Sequence, residues 1–130
     1  MRLLLDTHIL IWLARAPDRL NTTESALVAR RGTRVLISAV SIWELRLKWD
    51  RSGETRRNEL LDPQAALQFA EQVGFELKAL TAADCATPLE APLAHRDPFD
   101  ELLLTHAQSL GARFLTRDRL VVDHPLAGPA

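Results

Sequence analysis

Short apolar runs and longer amphipathic stretches alternate along this chain. Leu3, Leu4 and Leu5 form a run that stops at Asp6, with the length and abrupt end of a buried strand. Residues 7–15 are too long and too apolar for a turn and predict a helix, which Pro17 ends. Asn21 and Glu24 stand at capping-box spacing, so a second helix opens there and runs to about residue 31, with Gly32 as its stop. Val35, Leu36 and Ile37 predict a second buried strand. The helix that follows, over 38–49, carries Ile42, Leu45 and Trp49 on one stripe, with Trp43 and Leu47 beside it.

Residues 50–62 are polar and read as a loop or a frayed helix end. Asp62-Pro63 restarts a helix to about residue 73, with Asp as N-cap and Pro at the first helical position. A third strand is expected over 75–80 and a short helix within 81–93, broken by Pro88. Asp97-Pro98 opens the longest clear helix, to residue 110, where Gly111 ends it, and 113–116 is the last strand. The tail from Val121, with Pro125, Gly128 and Pro129, predicts loose packing. Strand and helix alternate with no hairpin signal, which specifies an α/β fold: a central parallel sheet of about four to five strands with helices on both faces.

The chain has 130 residues, 47% of them apolar, enough for one globular core and too few for two. A single cysteine, Cys85, excludes an internal disulfide and any Cys/His zinc pattern. The acid in MRLLLD interrupts the first apolar run before a signal peptide or membrane helix can form, so a cytoplasmic protein with no membrane association is expected. With 16 Lys+Arg against 17 Asp+Glu, the net charge of −1 argues against holding nucleic acid by bulk electrostatics. Nearly all the bases are arginine; Lys48 and Lys78 are the two lysines.

The acids carry more information than the balance. Ligands of open parallel sheets bind outside the carboxyl ends of the strands. Asp6 ends the first strand, and Asp118 lies two residues past the last one. Asp97 and Asp100 start the helix leading into that strand, and Glu44 lies one to two turns into the helix after the second. Carboxylates gathered on one edge repel each other, and a divalent cation relieves that repulsion. Hard oxygen donors select Mg²⁺ or Mn²⁺ over zinc, and such a site activates water against a phosphodiester.

Each acid also has an ordinary reading. Asp6 precedes a helix and would cap it, and Ser41 with Glu44 has capping-box spacing. Asp97 before Pro98 reads first as an N-cap, as Asp62 does before Pro63. Asp100 suits the positive end of a helix dipole, and Asp118 suits a turn. His8, His95, His106 and His124 are scattered and read as core or surface side chains. P-loop, G-x-G-x-x-G and G-x-S-x-G motifs are absent. An aspartyl-nucleophile phosphatase needs a second acid where His8 stands, and a receiver domain needs a late lysine that this chain lacks.

LLLDTHILIWL, SAVSIWEL, HRDPFDELLLTHA and FLTRD, spread over about residues 2–119 in this order, resemble PIN-domain ribonucleases. Within that family they are most similar to the VapC-type toxins of bacterial toxin–antitoxin pairs. The resemblance implies a PIN-like three-layer α/β/α fold occupying 1–130, and an Mg²⁺- or Mn²⁺-dependent endoribonuclease leaving 5′-phosphate and 3′-hydroxyl ends. By motif position the catalytic acids are Asp6, Glu44, Asp100 and Asp118. Asp6 and Asp100 are the expected metal ligands, with Glu44 and Asp118 acting through water. Asp97 is placed to cap the helix presenting Asp100, and Thr116 to hydrogen-bond at the site. The implied partners are an RNA substrate and a small cognate antitoxin, in a homodimer or a toxin–antitoxin hetero-oligomer.

Arg51, Arg56, Arg57, Arg117 and Arg119 are candidate phosphate contacts, each also readable as a solvated charge. Glu101 departs from the subgroup, which usually has arginine there, and sets an extra negative charge beside Asp100 in sequence. Two rivals follow: an inactive PIN-like α/β module that binds metal or protein, and a phosphoryl hydrolase for small molecules. Of the 17 acids, setting the four catalytic ones aside leaves 13 against 16 bases, so a local acidic pocket sits on a mildly basic body.

Overall fold

A computed structural model describes residues 1–95 and 97–128. Four strands, β1 (Arg2–Leu5), β2 (Arg34–Ser38), β3 (Glu76–Lys78) and β4 (Arg113–Leu115), form one sheet in the order β3-β2-β1-β4. All pairings are parallel, with Leu3 opposite Val35, Leu4 opposite Phe114 and Ile37 opposite Leu77. The helices are α1 (Thr7–Arg15), α2 (Thr22–Ala29), α3 (Ala39–Arg51), α4 (Glu54–Arg57), α5 (Pro63–Val73), α6 (Ala82–Ala86) and α7 (Pro98–Leu110). A 3-10 turn, Pro17–Arg19, follows α1.

The two-residue period of the strands splits the core into two halves. Leu3, Leu5, Val35, Ile37 and Leu115 face one side, where Ile9, Leu10, Ala66 and Ala70 of α1 and α5 cover them. Leu4, Leu36 and Phe114 face the other, against Leu103, Leu104 and Ala107 of α7. This is the expected three-layer α/β/α arrangement, with four strands.

The capping expectations translate directly. Asn21 and Glu24 form a capping box at α2, and Asp62 accepts the Gln64 N–H at 2.8 Å. Gly74 and Gly111 end α5 and α7 at φ 79° and 62°, the left-handed conformation that glycine adopts without strain. Three expectations are corrected. The second helix stops at Ala29 rather than near 31, and Gly32 (φ 88°) sits in the turn beyond it. The polar stretch 50–62 contains the single-turn helix α4.

The third correction concerns the tail, which is packed. Val121 and Ala127 are buried in the second core, and Ala127 makes a parallel bridge to Phe114 on the outer edge of β4. The Phe114 N–H donates to Leu126 O at 2.8 Å, and the Gly128 N–H to Phe114 O at 3.0 Å. Pro125 and Gly128 stand in the turns that lay the chain against an edge strand, covering backbone groups otherwise left open. Pro129, Ala130 and Arg96, the last within the HRDPFD motif, lie outside the described residues. Among the described residues no helix is long and apolar enough to cross a membrane.

Candidate active site

Because every strand runs the same way, Ser38 at the end of β2 and Asp6 and Thr116 just beyond β1 and β4 all lie at one edge of the sheet. The start of α7, with Asp97 and Asp100, lies on that edge too, since α7 leads back into β4. What each acid does there separates the capping role from other roles.

Asp6 occupies the N-cap position of α1, yet its side chain makes no capping hydrogen bond. It is buried, and its Oδ2 accepts a 2.6 Å hydrogen bond from the Thr116 hydroxyl. The Thr116 oxygen accepts the Asp118 N–H at 3.1 Å, so one threonine ties the end of β4 to the end of β1. Burial raises the Asp6 pKa, and the nearby Glu44 charge raises it further; the Thr116 bond and the His8 charge pull against this.

Asp97 spends its carboxylate on the helix. Oδ1 accepts the N–H groups of Phe99 at 2.9 Å and Asp100 at 3.3 Å, the ordinary N-cap role. Asp100 is therefore relieved of capping. Its pKa is pushed up to about 6, first by burial and then by the charges of Asp97, Asp6 and Asp118. Three acids from separate segments thus lie close enough to bias one carboxyl. Glu101 is not among them; it lines a groove beside Cys85 and Pro88.

Glu44 does not cap α3 either, because Ser38 does, accepting the Val40 N–H at 3.0 Å. Its Oε1 lies 2.7 Å from the Thr7 hydroxyl, which in turn lies 2.9 Å from Ser41 Oγ. A carboxylate only accepts and a hydroxyl has one proton, so Thr7 donates to Glu44 and Ser41 donates to Thr7. Lys48 Nζ pairs with the other oxygen at 3.0 Å. Asp118 keeps part of its turn role, its Oδ1 accepting the Leu120 N–H at 2.9 Å. Asp6 and Asp118 line one small pocket with His8, Trp12 and Arg117.

Two histidines support this geometry. His106 is fully buried on α7, and burial lowers its pKa. Ser38 Oγ and His106 Nδ1 lie 2.7 Å apart in a hydrogen bond that fixes α7 against the start of α3. His95, which the sequence presents as a core or surface side chain, lies at the site. Its Nδ1 accepts the Asp97 N–H at 3.2 Å, which leaves the ring proton on Nε2, 3.4 Å from Asp100 Oδ2. Its place two residues before Asp97 in HRDPFD was the available signal.

The arginine candidates divide. Arg117 is held by a buried Glu24 through Nε at 2.9 Å and a second, shorter contact, and lies 4.6 Å over the Trp12 ring. Arg57 lies over Trp49 at 4.8 Å and donates to its carbonyl. Arg51, Arg56 and Arg119 are exposed.

The parallel three-layer fold agrees with the comparisons. The PIN domain family matches residues 3–123, and the chain belongs to that family. It is 28% identical over 124 residues to Ribonuclease VapC22 of Mycobacterium tuberculosis, covering 93% of this chain and 90% of that protein. Its fold is similar to the structure of VapBC2 from Rickettsia felis bound to a DNA fragment from their promoter, with TM-score 0.66 and 18% identity over 98% of this chain and 96% of that one. It is also similar to VapBC-1 from nontypeable Haemophilus influenzae, with TM-score 0.59 and 18% identity, covering 91% and 87% of the two chains.

Proposed function

We propose that this chain is a metal-dependent endoribonuclease and the toxin of a VapBC-type toxin–antitoxin pair. The observation that carries the reading is the group of Asp6, Asp100 and Asp118. Their charges oppose one another, and neither Asp6 nor Asp100 serves as a helix cap. The similarity to Ribonuclease VapC22 supports RNA as the substrate, and the likeness in sequence to VapC toxins supports a small antitoxin as the partner.

The donor set fits a hard divalent cation: every donor is oxygen, and although Glu44 is paired with Lys48, no lysine or arginine pairs with Asp6, Asp100 or Asp118 among the described residues. Among the described residues no three metal-binding side chains close around a point by themselves. Mg²⁺ binds through one or two carboxylates and keeps several waters, so the proposed site does not depend on such a group. Asp6 and Asp100 are the proposed ligands, with Glu44 and Asp118 acting through water. The cation, when bound, supplies Lewis acidity toward a phosphoryl oxygen and lowers the pKa of water.

The chain's own residues do the positioning. Thr116 fixes Asp6 Oδ2, Asp97 fixes the first turn of α7, and His95 sets its Nε2 3.4 Å from Asp100 Oδ2. In the overall reaction the water oxygen bonds to phosphorus, the P–O3′ bond breaks and O3′ leaves with a proton. This gives 5′-phosphate and 3′-hydroxyl ends. A cytoplasmic setting and a homodimer, or a hetero-oligomer with antitoxin, complete the reading.

The test is RNA cleavage by purified protein with Mg²⁺ or Mn²⁺, with EDTA, and with Asp6→Asn and Asp100→Asn. EDTA and either substitution should each lower cleavage at least about 100-fold. Cleavage that survives EDTA or either substitution overturns the site. Protein that binds Mn²⁺ but cuts no RNA points to the inactive module. A small protein encoded beside this one should abolish cleavage when co-expressed.

A further inference from the structure

Three grooves on the surface share walls. The acid pocket, about 240 Å³, is lined by His8 and Trp12. A second groove of about 450 Å³ begins at those two residues and runs past Arg15 and Arg19 to Lys48. A third, about 330 Å³, begins at Lys48 and is lined by Arg51 and Arg56. The two outer grooves carry Arg15, Arg19, Lys48, Arg51 and Arg56 against one acid, Glu59. This lies in a chain whose net charge is −1. Five of the chain's 16 basic residues therefore line one path that leads to the carboxylates.

We infer that this path is the track for a single-stranded RNA backbone on one side of the bond to be cut. The inference rests on the ribonuclease reading and names how that site takes its substrate. A phosphodiester chain suits the path because it needs cations along its length and a metal-holding pocket at one point. Single-stranded binding grooves combine cations with aromatic faces on which bases stack. Here His8 and Trp12 stand at the junction with the pocket, their rings 6.1 Å apart; Arg117 covers one face of Trp12, and the His8 ring is exposed. Arg15 is anchored on the Asn58 carbonyl and Lys48 on Glu44, so they shape the groove. Arg51 and Arg56 are exposed, with side chains available to phosphates.

The test is binding of a fluorescent single-stranded RNA to the Asp100→Asn protein by anisotropy, in EDTA, across a KCl series. Arg51→Ala and Arg56→Ala should each weaken binding severalfold and lower the slope of log affinity against log salt by about 0.7. Arg51→Lys should restore most of the loss. Arg30→Ala and Arg31→Ala, which remove the same charge beside the amino end of β2, should leave affinity unchanged, with thermal melts confirming that all variants fold. Equal losses from both pairs, or none from Arg51 and Arg56, overturn the track. Polyglutamate displacing the RNA at equal charge concentration would also overturn it, by assigning the groove to an acidic protein. If the unsubstituted protein cuts RNA while Arg51 and Arg56 prove indifferent, the track alone fails. If it neither binds nor cuts RNA, the ribonuclease reading fails with it.

Discussion

Glu24 and Asp6 are both buried carboxylates, and the fold treats them in opposite ways. Glu24 completes a capping box at Asn21 and receives the Arg117 guanidinium, so its pKa is held below the ordinary value, with the Arg117 bond the largest cause. Asp6 receives one threonine hydroxyl and faces other acids, so its pKa is raised, with burial the largest cause. A carboxylate supplied with donors and a counter-charge stabilises a fold. One left short of them costs stability until something positive arrives. The contrast separates structural acids from acids kept available for a ligand.

The largest expected differences follow from exchanging those environments. Asp6→Asn and Asp100→Asn should lower RNA cleavage at least about 100-fold while leaving the fold intact. Glu24→Ala should do the reverse. It removes the capping box and the partner of Arg117, costing about 2 kcal/mol, or roughly 7 °C in a melt. Cleavage per folded molecule should remain within a few fold of the parent. A Glu24→Ala protein as stable as the parent would refute the structural assignment.

The pH response should divide the two sites as well. Asp100 titrates near 6 when folded and near 3.8 when unfolded, so the folded state holds its proton more tightly. Without metal, its contribution to stability therefore falls as pH rises from about 4 to about 6 and stays low above that. Glu24 has its pKa lowered from 4.5, so its contribution is present above that value and is lost as pH falls through the lower folded value. Asp100→Asn should then stabilise metal-free protein at pH 7.5 by on the order of 1 kcal/mol, allowing for the water that still screens Asp100. Melts from pH 4 to 8 in EDTA measure both trends.

Smaller effects are expected one step out from the acids. Thr116→Val leaves Asp6 Oδ2 without its hydroxyl donor, and His95→Ala leaves Asp100 without its neighbouring N–H. Each should cost cleavage roughly 10-fold, measured at saturating Mn²⁺. No loss in either would show that the bare carboxylates suffice.

Much of this was legible in the chain because it is written locally. Leu3-Leu4-Leu5 ending at Asp6, Asn21 with Glu24, and the Asp-Pro pairs at 62 and 97 each state an element or its start within a few residues. What escaped depends on partners far apart. Arg117 reads as a free phosphate contact until the fold brings it to Glu24, 93 residues away. Glu44 reads as a possible cap until Ser38 is seen to fill that role. The tail reads as loose because Pro125 and Gly128 punctuate it, whereas its contact with β4 depends on burying Val121 and Ala127. His95 lacks any periodic signal, since its role comes from a turn that brings its ring against the start of α7.

The contrast between satisfied and unsatisfied acids reduces to one comparison: melting temperature against Mn²⁺ concentration at pH 7.5 for the parent protein and Asp100→Asn. The parent should melt lower than the variant in EDTA and rise steadily as Mn²⁺ is added. The variant should start higher and respond little. A parent protein indifferent to Mn²⁺, or a variant that rises as far as the parent does, would contradict a metal held by Asp6 and Asp100.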